Sequence, residues 1–335
     1  MYFITNRTPD QGPESKAGRA LTFSTQNTVP LPNIYFCERP SEGEYLELGA
    51  TEFFSRLKTD NPRAEQVLFY IHGFNNTPER EIFPNAKILQ ELMGETSIVI
   101  PFIWPCDDDS VLHLLDDYWD DQEAASDSAK ALARALGKFM QWRDTNISLS
   151  DPCFRRMNIL AHSMGGRVLT EGVAHWVKSF GGGSMPRLFS NIFMVAADVT
   201  NDIFEAGEDG RHLADAANRV LTFHASDDWA MPASKLANIR RLTISRRLGL
   251  TGPEDIEKTP KNVFAFDCSR FNNEFDPKGH TYFLKDERGN GSPVAYLVRQ
   301  CIESKIVDLR GPLGRESELP RREPGVWAGT PEPVD

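Results

Sequence analysis

The sequence predicts an α/β fold, in which a mainly parallel central sheet carries helices on both faces. Continuous apolar runs recur along the chain, as at 67–71 and 97–104, and such runs are typical of strands that are covered on both sides. Segments with helical apolar spacing lie between the runs, and 121–142 is the clearest of them. Strands that alternate with helices in this way imply right-handed crossovers and a parallel sheet.

The predicted elements follow one another along most of the chain. Strands are expected at 2–5, 34–37, 67–71, 97–104, 157–161, 191–197, 220–225 and 263–268. Helices are expected at 51–58, after 77, at 121–142, after 166, and at 203–218, 232–247 and 293–302. Thr77 and Pro78 predict a capped helix start, and Pro84 predicts a kink soon after it. Ser292 and Pro293 predict the start of the last helix in the same way.

The elements predict one domain over residues 1–310, in which 1–60 supply N-terminal strands and a loop. Residues 105–120 follow a strand and carry Leu112, Leu114 and Leu115 among acidic residues, which makes them a candidate lid. The tail at 311–335 is rich in proline and lacks apolar periodicity. We therefore expect the tail to be mobile or draped over the surface, with Trp327 as a candidate anchor.

Composition and charge narrow the class of protein. The formal net charge is -11, and the chain has no cluster of lysine and arginine, so nucleic acid is not an expected partner. The aspartates at 107–121 lack the spaced ligands and glycine of a calcium loop, so we predict a solvated loop and no metal. Five cysteines without metal or redox spacing are expected to be reduced thiols. No signal peptide or membrane span is evident, which favours a cytoplasmic location.

A strand-turn-helix motif around Ser163 is the strongest functional signal. The sequence Ala161-His162-Ser163-Met164-Gly165 has the small-x-Ser-x-Gly form of a nucleophile elbow. The chain turns sharply at such an elbow, so the residues on either side of the serine must be small. An ordinary strand-to-helix turn with a capping serine would fit the same residues. The partners downstream therefore decide whether Ser163 is a nucleophile.

Such a nucleophile needs a base, because a serine hydroxyl is weakly reactive until its proton is removed. That base is usually a histidine that a carboxylate orients. Of the seven histidines, only His280 lies in a loop between the last predicted strand and the closing helix. A histidine in a loop of this kind is otherwise simply solvated. Three aspartates follow later strands and are candidates for the acid: Asp198, Asp227 and Asp228.

Two backbone N–H groups are candidates for an oxyanion hole, which needs preorganised donors. Met164 directly follows the predicted nucleophile at the start of a helix, where N–H groups are available. Phe74 lies in the loop after the strand at 67–71. Gly73 would let this loop approach a substrate, although His72-Gly73 also fits a simple turn that ends a strand.

Taken together, these residues resemble the α/β-hydrolase superfamily, with its order of serine, aspartate and histidine along the chain. The resemblance covers most of 67–302. More narrowly, Phe3-Ile4-Thr5-Asn6-Arg7, His72-Gly73-Phe74-Asn75 and Trp104-Pro105 are similar to a bacterial α/β-hydrolase group of unknown function. That group implies the fold and a triad but no substrate. Ala161 replaces the usual first glycine of the elbow, and its small side chain should serve equally well.

The resemblance also favours one acid over the others. The loop after the strand at 220–225 is the usual location, which disfavours Asp198. Within 226–230, the related group places its aspartate two residues after a serine and two before an alanine, a position that Asp228 occupies. An aspartate beside it on the same turn would point away, and this is the expected arrangement of Asp227.

The sequence therefore predicts a serine hydrolase that cleaves a small-molecule carboxylic ester, or a thioester or amide, through an acyl-enzyme. No cofactor is implied. A lipase or acyltransferase on the same triad is one alternative, which a deep apolar pocket at Ser163 would favour. A binding or scaffold protein that has kept only the fold is the other. The residue types of a triad in the expected loops favour catalysis.

Overall fold

An eleven-stranded sheet forms the centre of the computed structural model, which describes residues 1–24, 27–106, 114–146 (side chains from 122), 156–228, 246–303, 309 and 314–321. The strands are β1 (Tyr2–Thr5), β2 (Ala20–Leu21), β3 (Tyr35–Glu38), β4 (Tyr45–Glu47), β5 (Gln66–Ile71), β6 (Ser97–Ile103), β7 (Arg156–His162), β8 (Phe189–Val195), β9 (Ala217–His224), β10 (Val263–Asp267) and β11 (Glu316–Glu318). Their order in the sheet is β11-β10-β9-β8-β7-β5-β6-β1-β3-β4-β2.

The strands from β11 to β1 in this order run parallel, and β3, β4 and β2 continue the sheet with antiparallel pairing. Ile71 of β5 is in register with Ala161 of β7, and His162 is in register with Val195 of β8. The carboxyl ends of these strands therefore meet at one edge, and the loops that follow them leave the sheet together. Ligands of open parallel sheets bind at such an edge.

Helices cover the sheet on both sides. They are α1 (Ala50–Thr59), α2 (Phe83–Met93), α3 (Leu114–Asn146), α4 (Gly165–Ser179), α5 (Arg211–Ala216), α6 (Leu248–Thr251), α7 (Asn272–Phe275) and α8 (Pro293–Ile302). Two further turns are a π-helical one at Pro78–Ile82 and a 3-10 one at Ile256–Lys258.

Each face of the sheet has its own apolar core. Strand β5 contributes to both, because successive side chains of a strand point to opposite faces. Val67 and Ile71 pack in the core that includes α1, α3 and α4, whereas Leu68 and Tyr70 pack in the core of α2 and α8. The predicted fold class, a mainly parallel sheet with helices on both faces, is confirmed.

Helix α3 is longer than predicted. It begins at Leu114, so the second half of the predicted acidic loop is helical. Leu114, Leu115, Tyr118 and Trp119 recur there at helical spacing among acidic residues, a pattern that favours the longer helix. Of the candidate lid, 107–113 lie outside the described residues and 114–119 belong to α3. A role as a lid stays a prediction.

Two other helix predictions need correction. The predicted helix at 203–218 is a series of turns before α5 (Arg211–Ala216), and Gly207 adopts a left-handed φ of 96° within the turns. At Thr77 the hydroxyl is not the cap, since the Thr77 N–H and Oγ1 both donate to Glu81 Oε2, at 2.8 and 2.9 Å. Pro84 is the second residue of α2, where its missing N–H is not needed, and a π-helical turn replaces the predicted kink.

Part of the tail is an ordered strand, so the expectation of a mobile or draped tail is wrong for 314–321. Strand β11 pairs in parallel with β10. The buried guanidinium of Arg315 donates to Thr259 Oγ1 and Pro260 O, both at 2.8 Å, and to Val263 O at 3.1 Å. Backbone pairing and one buried arginine thus replace the apolar periodicity that the tail lacks. Trp327 and most of the predicted helix at 232–247 lie outside the described residues.

Four of the cysteines are free and buried in the structure, in agreement with the expected reduced thiols: Cys37, Cys106, Cys268 and Cys301. A search of the described helices finds none that is long and apolar enough to cross a membrane.

Candidate active site

The turn between β7 and α4 has the backbone of a nucleophile elbow. Ser163 adopts a left-handed φ of 53°, a conformation that is strained for a residue with a side chain and costs on the order of 1–3 kcal/mol. Its N–H donates to Val195 O at 3.0 Å, and its carbonyl accepts from the N–H groups of Gly166, at 2.9 Å, and Asp198, at 3.0 Å. These three bonds hold the strained turn in place.

The glycines of the elbow are required because neighbouring chain segments approach it closely. A Cβ atom on Gly165 would lie 2.6 Å from the carbonyl oxygens of Ile71 and His72, and one on Gly166 would lie 3.0 Å from Ala197 Cβ. A Cβ atom on Gly73 would lie 2.9 Å from Ser163 Cβ. The spacing of small residues in the sequence therefore reflects backbone contact between the elbow and the loop after β5.

His280 and the buried Asp228 form a hydrogen-bonded pair. His280 Nδ1 donates to Asp228 Oδ2 at 2.7 Å, and the side chains are 13% and 0% exposed. A carboxylate can only accept, so Nδ1 carries the proton and Nε2 remains available as a base when the imidazole is neutral. The ring of His162, which precedes Ser163, lies 4.7 Å from the His280 ring. The pair therefore lies beside the elbow.

The other two candidate acids have different partners. Asp227 is exposed and its carboxylate accepts from the side-chain amides of Asn272 and Asn273. Asp198 is buried and lies 3.1 Å from Arg247 Nε. Asp227 thus points away from His280, as expected from its place on the same turn.

A second aspartate holds the loop that carries His280. Asp276 Oδ2 accepts from the N–H groups of His280, at 2.9 Å, and Thr281, at 2.7 Å. Burial on its own would raise the pKa of Asp276, but the bonds from Thr281, Lys278 and His280 hold that pKa below its ordinary value. Gly279 adopts a φ of 69° between these donors, so glycine is needed there. The carboxylate therefore fixes the backbone of His280.

His162 also contacts His280. Its Nε2 donates to His280 O at 3.2 Å, and its ring also packs on Phe283, with 4.9 Å between the ring centroids. Burial, and then the nearby charge of His280, lower the pKa of His162 well below its ordinary value. His162 is therefore neutral at physiological pH, and it links the elbow to the histidine loop.

The loop after β5 is held by neutral hydrogen bonds. The Trp104 N–H donates to His72 Nε2 at 3.1 Å, so the proton of this imidazole is on Nδ1, which donates to Gly73 O at 2.7 Å. The His72 and Trp104 rings stack with 5.0 Å between centroids. Burial lowers the pKa of His72 to about 3, which keeps it neutral. Phe74 follows directly, half-buried.

Met164 directly follows Ser163 in the chain. It is buried and directly precedes Gly165, the first residue of α4. The first N–H groups of a helix have no partner within the helix, and they favour negative charge. That the Met164 N–H binds an oxyanion stays a prediction.

Three residues that shape the site are not among those predicted from the sequence. Asp276 opens an Asp-Pro-Lys-Gly turn, and an aspartate that bonds to the backbone of such a turn is a signal that could have been used. Trp104 was noted only as part of a resemblance. Asn76 belongs to no sequence motif used above, and its amide Nδ2 donates to Gly73 O at 3.2 Å and Phe74 O at 2.7 Å.

No metal centre is evident in the parts of the chain that the structure describes, where no three side chains among His, Cys, Asp and Glu are grouped to hold an ion. The aspartates at 107–113 lie outside those parts.

The mainly parallel sheet with helices on both faces and the elbow between β7 and α4 define an α/β-hydrolase fold. The chain belongs to the family described as "Alpha/beta hydrolase of unknown function (DUF900)", which it matches over residues 49–287. The resemblance predicted from the sequence is thereby confirmed. No curated protein matches the chain.

Several solved structures are similar to parts of the chain. Esterase PE8 is 12% identical, with 73% of this chain and 95% of that chain covered and a TM-score of 0.36. A lipase-esterase related protein from Clostridium acetobutylicum is 11% identical, with 73% and 96% covered and a TM-score of 0.31. An esterase from Pyrobaculum calidifontis is 12% identical, with 72% and 77% covered and a TM-score of 0.32. Likeness at these scores carries no argument about activity.

Proposed function

We propose that this protein is a serine hydrolase that cleaves a carboxylic ester through an acyl-enzyme. Ser163 is the nucleophile, His280 is the general base and then the general acid, and Asp228 orients His280. The observation that carries the proposal is the 2.7 Å hydrogen bond from His280 Nδ1 to the fully buried Asp228 carboxylate. A buried carboxylate in that position fixes the tautomer that leaves Nε2 as a base, and it stabilises the imidazolium that forms later.

The reaction proceeds in two halves. Ser163 Oγ attacks the carbonyl carbon of the ester, and its proton passes to His280 Nε2. The tetrahedral intermediate collapses, the C–O bond to the alcohol breaks, and His280 returns the proton to the leaving alcohol. A water molecule then attacks the acyl-enzyme with His280 again as base, which releases the acid and restores the Ser163 hydroxyl.

The oxyanion of each intermediate accepts hydrogen bonds from the backbone N–H groups of Met164 and Phe74. The position of Met164 at the start of α4 supports the first donor. The closeness of the loop after β5 supports the second, since Gly73 leaves no room for a side chain beside Ser163. Removal of one such donor typically reduces the rate by about 100-fold to 1000-fold.

The largest expected effect is the loss of Ser163. A fluorophosphonate probe should label the wild-type protein at Ser163, and Ser163→Ala should abolish both label and esterase activity. Ser184→Ala is the matched control, because Ser184 is exposed and lies outside the proposed site. Mass spectrometry of the labelled peptide identifies the residue. Label that persists in Ser163→Ala at another serine would overturn the assignment.

The same experiment separates the proposed function from its alternatives. A folded wild-type protein that takes no label and hydrolyses no p-nitrophenyl ester would favour a binding or scaffold protein. A panel of esters from acetyl to decanoyl then defines the acyl chain, and a preference for the longest chains would favour a lipase. Transfer of the acyl group to an added alcohol faster than to water would favour an acyltransferase.

A further inference from the structure

The peptide group between Gly73 and Phe74 is held from its carbonyl end by two side chains. His72 Nδ1 donates to Gly73 O at 2.7 Å, and Asn76 Nδ2 donates to the same oxygen at 3.2 Å. Both donors are neutral, because an amide carries no charge and burial keeps His72 unprotonated. The carbonyl oxygen therefore has a direction that is set by two fixed partners.

The direction of this carbonyl also sets the direction of the Phe74 N–H. The peptide bond is planar and trans, so the C=O and N–H of one peptide group point in opposite directions. Gly73 lies against Ser163, since a Cβ atom there would be 2.9 Å from Ser163 Cβ. The two donors thus hold the oxygen end of the peptide, and the N–H end is the one proposed as an oxyanion donor.

Asn76 holds the next carbonyl as well. Its Nδ2 donates to Phe74 O at 2.7 Å, and the two hydrogens of an amide nitrogen allow both bonds at once. Asn75 lies between Phe74 and Asn76 and adopts a left-handed φ of 54°. The amide of Asn76 therefore closes a tight turn whose two carbonyls point at one nitrogen.

The backbone of Asn76 is itself fixed from the core. Its N–H donates to Cys106 Sγ at 3.4 Å, and the Cys106 thiol donates to Asn76 O at 3.0 Å. Cys106 O in turn accepts from Nη1 of the buried Arg7 at 3.0 Å. The turn is therefore connected to the residues that follow β1 and β6.

We propose that Asn76 is a positioning residue that orients the Gly73–Phe74 peptide for oxyanion binding. The inference rests on the proposed serine hydrolase function. Hydrogen bonds to the carbonyl polarise the peptide group, so its N–H becomes a better donor as the carbonyl is held. Asn76 contributes to the stability of the tetrahedral intermediate and not to the binding of the intact ester.

Two substitutions at Asn76 test this role. Asn76→Asp has nearly the same shape but presents an acceptor to two carbonyls, so it should turn the peptide away. Asn76→Ser keeps one hydroxyl donor and should retain more activity. We expect kcat to fall by about tenfold to 100-fold in Asn76→Asp, a part of the loss that removal of a complete donor causes, and by less in Asn76→Ser. KM should change by less than about threefold, because ground-state binding is untouched.

The matched control is Asn75→Asp. It makes the same chemical change one residue earlier, on an exposed side chain, and aspartate tolerates the left-handed conformation of Asn75. A trifluoromethyl ketone, whose adduct on serine mimics the tetrahedral intermediate, gives a second readout. Its inhibition constant should rise with the fall in kcat in the Asn76 variants, whereas a non-reactive ester analogue should bind equally to all proteins.

The outcomes are distinguishable from failure of the proposed function. A wild-type protein without label or esterase activity would remove the serine hydrolase proposal itself. If the wild type is active and both Asn76 variants match Asn75→Asp in kcat and ketone inhibition, only the positioning role of Asn76 is wrong. A rise in KM with unchanged kcat in the Asn76 variants would also contradict the positioning role. Asn76→Ser keeps the test valid if Asn76→Asp does not fold.

Discussion

Two buried aspartates lie after neighbouring parallel strands, and their side chains meet different partners. Asp198 follows β8 and lies 3.1 Å from Arg247 Nε, with side chains 3% and 5% exposed. Asp228 follows β9 and accepts from His280 Nδ1 at 2.7 Å. Both lie near the elbow: the Asp198 N–H donates to Ser163 O at 3.0 Å, and the His280 ring that Asp228 holds lies 4.7 Å from the ring of His162. Position at the edge of the sheet therefore does not distinguish them.

The difference lies in what the partner can do. An arginine stays charged at every pH at which proteins fold, so it cannot take a proton from a hydroxyl. A histidine changes its charge near neutral pH and can accept and return one. We infer that Asp198 and Arg247 stabilise the backbone around the elbow, whereas Asp228 serves the proposed chemistry. In this proposal, the two aspartates have the same chemical group, and the partner of each decides whether its role is structural or catalytic.

The largest effect that would sharpen this comparison is expected from Asp228→Asn. The substitution keeps the shape, removes the charge and lets the imidazole adopt the wrong tautomer, so kcat should fall by about 10,000-fold. Steady-state kinetics on a p-nitrophenyl ester measure the change, and a thermal melt checks the fold. Asp227→Asn is the matched control, because the exposed Asp227 carboxylate bonds to the side-chain amides of Asn272 and Asn273 and not to His280. Equal losses in the two variants would contradict the assignment of the acid.

A smaller effect, of a different kind, is expected from Asp198→Asn. Removing one member of a buried ion pair leaves the Arg247 charge uncompensated, which typically costs about 3–5 kcal/mol of stability. Urea unfolding should show this loss, while the folded fraction keeps kcat within about tenfold of the wild type. A loss of kcat as large as that of Asp228→Asn, in a protein of unchanged stability, would mean that the two aspartates do not have separate roles.

The smallest effect concerns pH and the neutral histidine of the loop after β5. Burial lowers the pKa of His72 to about 3, whereas the ordinary pKa of a histidine is about 6.5. At a pH between these two values, the unfolded chain binds a proton at His72 that the folded chain does not bind. Stability should therefore fall as the pH drops, by about 2 kcal/mol between pH 7 and 5 for one such group.

Urea unfolding of the wild type and His72→Asn at pH 7, 6 and 5 measures the contribution. Asparagine keeps one donor and one acceptor but does not titrate, so the variant should lose less stability on acidification than the wild type does. His162, whose pKa burial also lowers, is unchanged in both proteins and cancels in the comparison. An identical pH dependence in the two proteins would show that His72 is not held neutral by the fold.

The sequence by itself determined the features that contiguous residues encode. Apolar runs and helical spacing predicted the α/β class and most elements of the sheet, because each strand or helix needs its own pattern of burial. The elbow at Ser163 was also predictable, since close backbone contact requires small residues there. The family match over 49–287 agrees with those local signals.

Only the tertiary structure decided the partners. Asp228 and His280 are 52 residues apart, and Asp198 and Arg247 are likewise far apart along the chain. A resemblance to related proteins favoured Asp228 as the acid, but apolar periodicity does not show which partner each aspartate meets. The roles of Asp276 in holding His280 and of Asn76 in holding Gly73 likewise depend on loop geometry. Strand β11 was not predicted, because its order comes from pairing with β10 and from the buried Arg315. Side-chain pairing and edge-strand pairing are properties of the assembled sheet, and local periodicity does not encode them.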